Sequence, residues 1–261
     1  MNLFNILIAK RVVATLSALL VIAIGCSAGI WQLNRAQTKI ALAANLLARQ
    51  QMPILRANDG PWTLEEVSER RMIARGQFIP EAAVWLDNRP RPIPPAGSTS
   101  AQAGFYLMMP MRLEGKNDIL WVNRGWAPRN HEDREVLPSV KTPSGVVNIE
   151  GIVFAHPGRV YELGKGKPIL ETGKPRIEQN FDLTAEGNLH GWSQAPFILR
   201  ENEIGVGDGL LRDWAPLTNG VDRHYAYAFQ WFALAFAGFL FWLLSGLRQL
   251  KRQGFVNGDQ V

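Results

Sequence analysis

The sequence predicts a membrane protein of α+β class, with one transmembrane helix near each end flanking an antiparallel, β-rich extracytoplasmic domain. Three features predict it. Residues 12–33 and 225–247 are apolar runs of 22 and 23 residues without a charged side chain. The stretch between them reads as short strands punctuated by Gly, Pro, Asn and Asp. Net charge is concentrated outside that stretch: residues 34–224 carry 23 Lys/Arg against 22 Asp/Glu, so most of the net charge of +5 belongs to the tails. A nucleic-acid groove needs its basic excess on the folded domain, and that class is excluded.

At about 1.5 Å rise per residue, each apolar run spans roughly 33 Å, enough for a hydrocarbon layer about 30 Å thick. A core helix of a soluble protein would carry a polar stripe, and neither run does. Trp31, Tyr225, Tyr227 and Trp242 fall near the run ends, where interfacial aromatics belong. Lys10 and Arg11 precede the first run, and Arg248, Lys251 and Arg252 follow the second. On the other side arginines are interspersed with Asp208, Asp213 and Asp222. Short basic tails stay in the cytoplasm, so tails 1–11 and 248–261 are expected inside and residues 34–224 outside. With eleven residues ahead of the first run, the expected location is a bacterial inner membrane rather than a mitochondrion. Cys26, the only cysteine, lies inside the first run, which rules out an intramolecular disulfide. Ala23, Ile24, Gly25 and Cys26 resemble a lipoprotein cleavage box. Such a box usually has Leu where Ala23 stands, however, and the apolar run continues to Leu33. A membrane anchor results either way.

Beyond the first run, residues 37–51 are rich in helix formers and extend the helix out of the membrane until Pro53 stops it. Residues 63–70 suggest a short helix, with Thr63 and Glu66 at capping-box spacing. Strands are expected at 72–78, 83–88, 105–114, 119–125, 146–155, 176–182, 196–200 and 210–217. No ten-residue amphipathic helix separates them, so parallel crossovers are not expected. The predicted architecture is an antiparallel sheet folded into a sandwich or open barrel. Residues 89–103, with four prolines, read as an exposed loop.

Catalytic signatures are missing. Gly158, Gly164, Lys165 and Gly166 miss phosphate-loop spacing and lack its Ser/Thr. The Gly205, Gly207 and Gly209 cluster precedes a strand and reads as a turn. His131, His156 and His190 are too far apart, without cysteine partners, for a zinc site. No nucleophile elbow is present and the one thiol lies in the apolar run. The expected protein is not an enzyme.

Three segments are specific. In the first, Trp31, Arg35 and Lys39 stand at i, i+4, i+8 and form one helix face at the outer membrane surface. The second, containing Arg124, Gly125 and Trp126, ends a strand. Its Arg and Trp fit either a satisfied strand end beside a core tryptophan or a surface that docks a partner. The third opens the second run: His224, Tyr227, Trp231, Leu234 and Gly238 are separated by 3, 4, 3 and 4 residues and form one stripe. An imidazole above an aromatic wall suits a flat apolar ligand, with His224 as axial ligand to haem iron and Arg223 beside the propionates. The same spacing equally marks a helix-packing face with interfacial anchors. Gly25 and Gly29 form a small-x3-small pair suited to close packing against the second run.

Taken together and in order, these segments resemble the surfeit locus protein 1 family. The motifs are Gly-x-Trp-Gln-Leu-x-Arg-x3-Lys (from Gly29), Val-x-Arg-Gly-Trp (from Val122) and His-x2-Tyr-Ala-x2-Trp-Phe-x-Leu-Ala (from His224). Many members carry Asn-Asn where this chain has Asp222 and Arg223, and often Leu where Tyr225 stands. The resemblance implies an assembly factor for cytochrome c oxidase that binds haem a transiently and assists its insertion into the catalytic subunit. It also implies contact with other assembly factors. Its membrane-edge histidine corresponds to His224, with Arg223, Tyr227 and Trp231 nearby; Trp31, Arg35, Lys39, Arg124 and Trp126 are the interface candidates. A haem-free scaffold that stabilises the oxidase subunit is the alternative. A third reading, a membrane-tethered hydrolase or oxidoreductase, requires His131 or His190 to meet carboxylates in a deep pocket.

Overall fold

The computed structural model describes residues 11–93, 102–130, 132–133, 135–161, 173–202, 207–214 and 220–256. The chain divides into two compact units, one made of Met1–Ala44 and Pro216–Val261, the other of Asn45–Ala215.

The first unit is a helix pair. Helix α1 runs unbroken over Val12–Gln51, so the apolar run and the helix-forming stretch after it are one element that stops two residues before Pro53. Helix α4, at the other end of the chain, covers Val221–Val256. Both are long and apolar enough to cross a membrane. Val13, Phe229 and Phe241 are among the apolar side chains left exposed on their outer faces. Water would disfavour such a surface, whereas lipid or further apolar helices would cover it.

The second unit is a closed β-barrel with short helices attached. Its elements are β1 (Leu55–Arg56), α2 (Leu64–Val67), β2 (Arg71–Phe78), β3 (Val84–Pro90), β4 (Ala103–Leu113), β5 (Ile119–Pro128), β6 (Val146–Phe154), β7 (Arg176–Glu178), α3 (Leu183–His190) and β8 (Gln194–Glu201). The strand order is β1-β2-β6-β8-β5-β4-β3-β7. A further β2–β4 pairing, Gly76 with Leu113 through Phe78 with Met111, closes the ring. Strand β4 makes this possible because it is long: its first half pairs with β3 and its last residues reach β2. The capping box forms as expected, with the Thr63 backbone N–H and hydroxyl both donating to Glu66 Oε2 at 2.9 and 2.8 Å.

Three expectations are corrected. The sheet is mixed: β1–β2, β3–β7 and β5–β8 are parallel pairs. The β5–β8 pair needs no single crossover helix, because β6, β7 and α3 intervene before β8 returns beside β5. The expected strand at 176–182 ends at Glu178 and gives way to α3, whose N-cap Asp182 accepts from Ala185 N–H. Of the expected strand at 210–217, residues 210–214 hold only a bridge between Leu211 and Trp126; residues 215–217 lie outside the described set.

Alternation along each strand sets the two faces. Leu107, Met109 and Met111 of β4, Leu120 and Val122 of β5, and Phe197 and Leu199 of β8 fill the barrel interior. Met108, Ile119, Trp121 and Ile198 point the other way, into a second cluster with Val84, Leu86 and Phe181, against which Leu183 and Trp192 pack. Strand β5 is therefore buried on both faces, which is why it reads as one nearly continuous apolar run.

Candidate functional site

The helix pair follows a 3–4 spacing on both partners. Thr15, Gly25, Gly29, Ala36 and Ala43 are the buried residues of α1, and Val221, Ala228 and Ala235 are buried on α4. Small residues let the backbones approach closely. A Cβ on Gly25 would lie 2.9 Å from both Ala235 Cβ and the Trp231 carbonyl oxygen; one on Gly29 would lie 2.7 Å from the Phe232 ring. The Gly25/Gly29 pair thus packs against the second apolar helix. Gly25→Val should weaken the pairing by about 1–3 kcal/mol through overpacking. Spin labels at the exposed Leu20 and Phe241, in a Cys26→Ser background, should report a longer and broader distance distribution; an unchanged distribution would refute the close contact.

Polar groups punctuate this seam. Trp242 Nε1–H donates to Thr15 Oγ1 at 3.0 Å, and Arg11 donates to Ser245 Oγ and to the Trp242 carbonyl at 2.7 and 3.2 Å. Toward the start of α4, His224 Nδ1 and Gln32 Oε1 are 2.7 Å apart. With the amide oxygen of Gln32 as acceptor, the contact puts the proton on Nδ1 and leaves Nε2 as the ring nitrogen outside it. Gln32 belongs to the Gly-x-Trp-Gln-Leu segment but stood out there only as part of a motif. Its signal is its place three residues after Gly29, in phase with the small residues of the seam.

The expected aromatic stripe divides. His224 is half-buried against α1, whereas Tyr227 and Trp231 are 50% and 36% exposed, and Arg223 is also exposed. An imidazole fixed by a second helix thus stands beside an uncovered aromatic flank. On α1, Trp31 is 56% exposed with the Arg35 guanidinium 5.9 Å from its ring centroid. One turn beyond Arg35, the Lys39 Nζ lies beside Gly220, just ahead of α4.

Arg124 and Trp126, expected as interface candidates, are each 1% exposed. Arg124 follows Leu120 and Val122 on the interior face of β5, and Glu201 follows Phe197 and Leu199 on that of β8. There Arg124 Nη2 donates to Asp208 Oδ2 at 2.9 Å, and Arg212 donates to Asp208 Oδ1 and Oδ2 at 3.1 and 2.5 Å. Glu201 lies 3.2 Å from Arg212 and 3.7 Å from Arg124. Two cations and two anions alternate in a buried quartet, with the Arg124 guanidinium 4.7 Å from the Phe78 ring centroid. Trp126 Nε1–H donates to the Arg89 carbonyl at 2.9 Å. Between them Gly125 adopts φ +140° and a Cβ there would meet the Leu211 carbonyl at 2.8 Å, so glycine is required at this register shift of the strand.

Among the described residues, the features that would mark a hydrolase do not assemble. His190 stacks on Trp192 at 4.0 Å and lies 3.8 Å from Glu186, which Arg176 engages through an ion pair. Burial raises the Glu186 carboxyl against the Arg176 hydrogen bond. His156 Nδ1 accepts from Gly158 N–H at 3.1 Å. Among the described residues no group of three His, Cys, Asp or Glu side chains is placed to hold a metal ion. His131 and residues 164–166 lie outside the described set.

Residues 19–236 match the model of the SURF1 family. The chain is also 24% identical over 235 residues to surfeit locus protein 1 of Xenopus tropicalis, an alignment covering 86% of this chain and 73% of the relative. The chain belongs to the SURF1 family, whose members are assembly factors linked to cytochrome c oxidase rather than catalytic enzymes.

Proposed function

We propose that this protein crosses the membrane through α1 and α4 with both termini inside, binds haem a at His224, and assists its transfer to the oxidase catalytic subunit. The observation that carries this reading is the His224–Gln32 pair. A metal-ligating histidine commonly donates its other ring N–H to a fixed acceptor, which sets the tautomer and the ring orientation. Gln32 is such an acceptor, and Nε2 is then the donor atom for iron. The exposed Tyr227 and Trp231 offer apolar surface for a macrocycle, and Arg223 supplies a cation for its carboxylates. Haem a is cargo in this reading, so the hold on it is a single imidazole with an uncovered aromatic flank rather than an enclosed pocket.

The haem-free scaffold remains the second reading, because a half-buried His–Gln pair also suits a contact that only locks two helices. Oxidase assembly tests the need for His224, and haem retained by the purified protein separates the two readings. In a host lacking the chromosomal gene, wild type should restore haem-a-containing oxidase to its membranes, whereas His224→Ala at equal protein level should not. Gln32→Leu keeps the imidazole but removes its orienting acceptor and should lower haem affinity by about tenfold or more. Full restoration by His224→Ala would favour the scaffold.

A further inference from the structure

The outer face of the barrel carries a cation that its own fold leaves unanswered. Four adjacent strands contribute to one pocket of about 280 Å³: Tyr106 from β4, Asn123 from β5, Arg200 and Ile198 from β8, and Phe154 from β6, with Trp214 and residues 156–158 also lining it. Asn123 and Arg200 are register partners. The Arg200 guanidinium stacks on Phe154 at 4.3 Å and on Trp214 at 4.9 Å from the ring centroids. Those rings occupy its flat faces, where a cation is attracted but donates no hydrogen bond.

Its edge is different. Among the described residues no carboxylate forms an ion pair with Arg200, no Asp or Glu lines the pocket, and Nε is buried without an acceptor. Nε of Arg89, Arg124 and Arg212 is likewise without an acceptor, but their terminal nitrogens are engaged. Arg124 and Arg212 share Asp208 and Glu201, and Arg89 donates to the Gly158 and Gln179 carbonyls at 3.2 and 2.6 Å. Burial holds the Arg200 pKa down to about 10, with nearby Tyr106 opposing the shift, so the group is still charged at neutral pH. Arg200 is half-buried, and a partly desolvated charge without a protein partner favours an anion at its open edge.

We propose that this pocket binds the carboxylate of a small organic acid with an apolar body, held edge-on by Arg200. A carboxylate is planar and accepts two parallel N–H bonds from a guanidinium edge. Ile198, Phe154, Trp214 and Pro157 supply apolar surface for the body of the acid, beside the polar Asn123 and His156. This site is independent of haem and of His224.

The test uses the full-length protein in detergent, with 4-fluorobenzoate as probe and its fluorine resonance as readout, empty micelles serving as the baseline. Saturable binding of 4-fluorobenzoate is expected, with no saturable binding of the neutral 4-fluorobenzamide. Arg200→Gln should weaken benzoate binding by at least about tenfold, and Arg200→Lys, which keeps the charge but loses the planar fork, should fall between. Equal behaviour of benzoate and benzamide on the unmodified protein would overturn the proposal without reference to any variant. So would the absence of saturable benzoate binding, or undiminished binding by a folded Arg200→Gln protein, which would leave Arg200 a purely structural stack.

Discussion

Asp208→Ala should destabilise the β-barrel unit by about 3–5 kcal/mol, the cost typical of removing one partner from a buried ion pair. The expectation follows from what Asp208 holds. Its two oxygens accept from Arg124, from both terminal nitrogens of Arg212 and from the Leu210 N–H. Without it, two buried guanidiniums share Glu201 alone and repel one another. Arg124→Met combined with Asp208→Ala should cost less than the sum of the single changes, because Arg212 keeps Glu201 at 3.2 Å. Chemical unfolding of the full-length protein, followed by tryptophan fluorescence, measures both.

The same carboxylate predicts a response to acid. Burial pushes the Asp208 carboxyl up, but the Arg212 hydrogen bond, the Leu210 N–H and the two guanidinium charges outweigh it and hold the group below its ordinary value. A depressed carboxylate contributes its stability above its unfolded-state pKa of about 3.9 and loses it as pH falls through the lower folded value. Between roughly pH 5 and pH 2, wild type should therefore lose stability more steeply than Asp208→Asn. Parallel profiles for the two proteins would contradict the assignment.

Trp126→Ala should cost a similar amount, about 3–5 kcal/mol, for a different reason. The ring packs so closely on Gly104 that a Cβ there would come within 2.5 Å of it. Its indole N–H also satisfies the Arg89 carbonyl, and its backbone exchanges two hydrogen bonds of 2.8 Å with Leu211. Trp126→Phe keeps part of the volume and loses the N–H bond, so its cost should be about 1–3 kcal/mol. Equal costs for the two variants would show that the indole nitrogen, rather than packing, dominates.

These predictions rest on residues that the sequence showed without showing their role. The two long helices were legible because an uncharged run of over twenty residues has few alternatives, and most strands because their turns are marked by Gly, Pro and Asn. Helix α3 was hidden: its eight residues carry too little periodicity, and only Asp182 ahead of it and Gly191 behind it bracket the ends. Parallel pairing of β5 with β8 was hidden too, because register between distant strands leaves no local mark. Arg124 on a strand reads equally well as surface or core. The pleat decides, by sending it inward behind Leu120 and Val122. Asp208 sat in what reads as a glycine turn; the turn exists to aim its carboxylate at two arginines. Gln32 is the clearest case, since its partner His224 is 192 residues away and no spacing within either segment predicts the pair. The reading of Tyr227 and Trp231 as a wall beneath His224 also needed the second helix, which leaves the imidazole half-covered and the rings exposed.

The most direct test of the central claim is the visible absorbance spectrum of the full-length protein purified in detergent from cells that make haem a. The account predicts a Soret band with haem a recovered on extraction, and loss of that band in a folded His224→Ala protein. Wild-type protein without a Soret band would contradict the carrier reading, and a band unchanged in His224→Ala would contradict the assignment of the iron ligand.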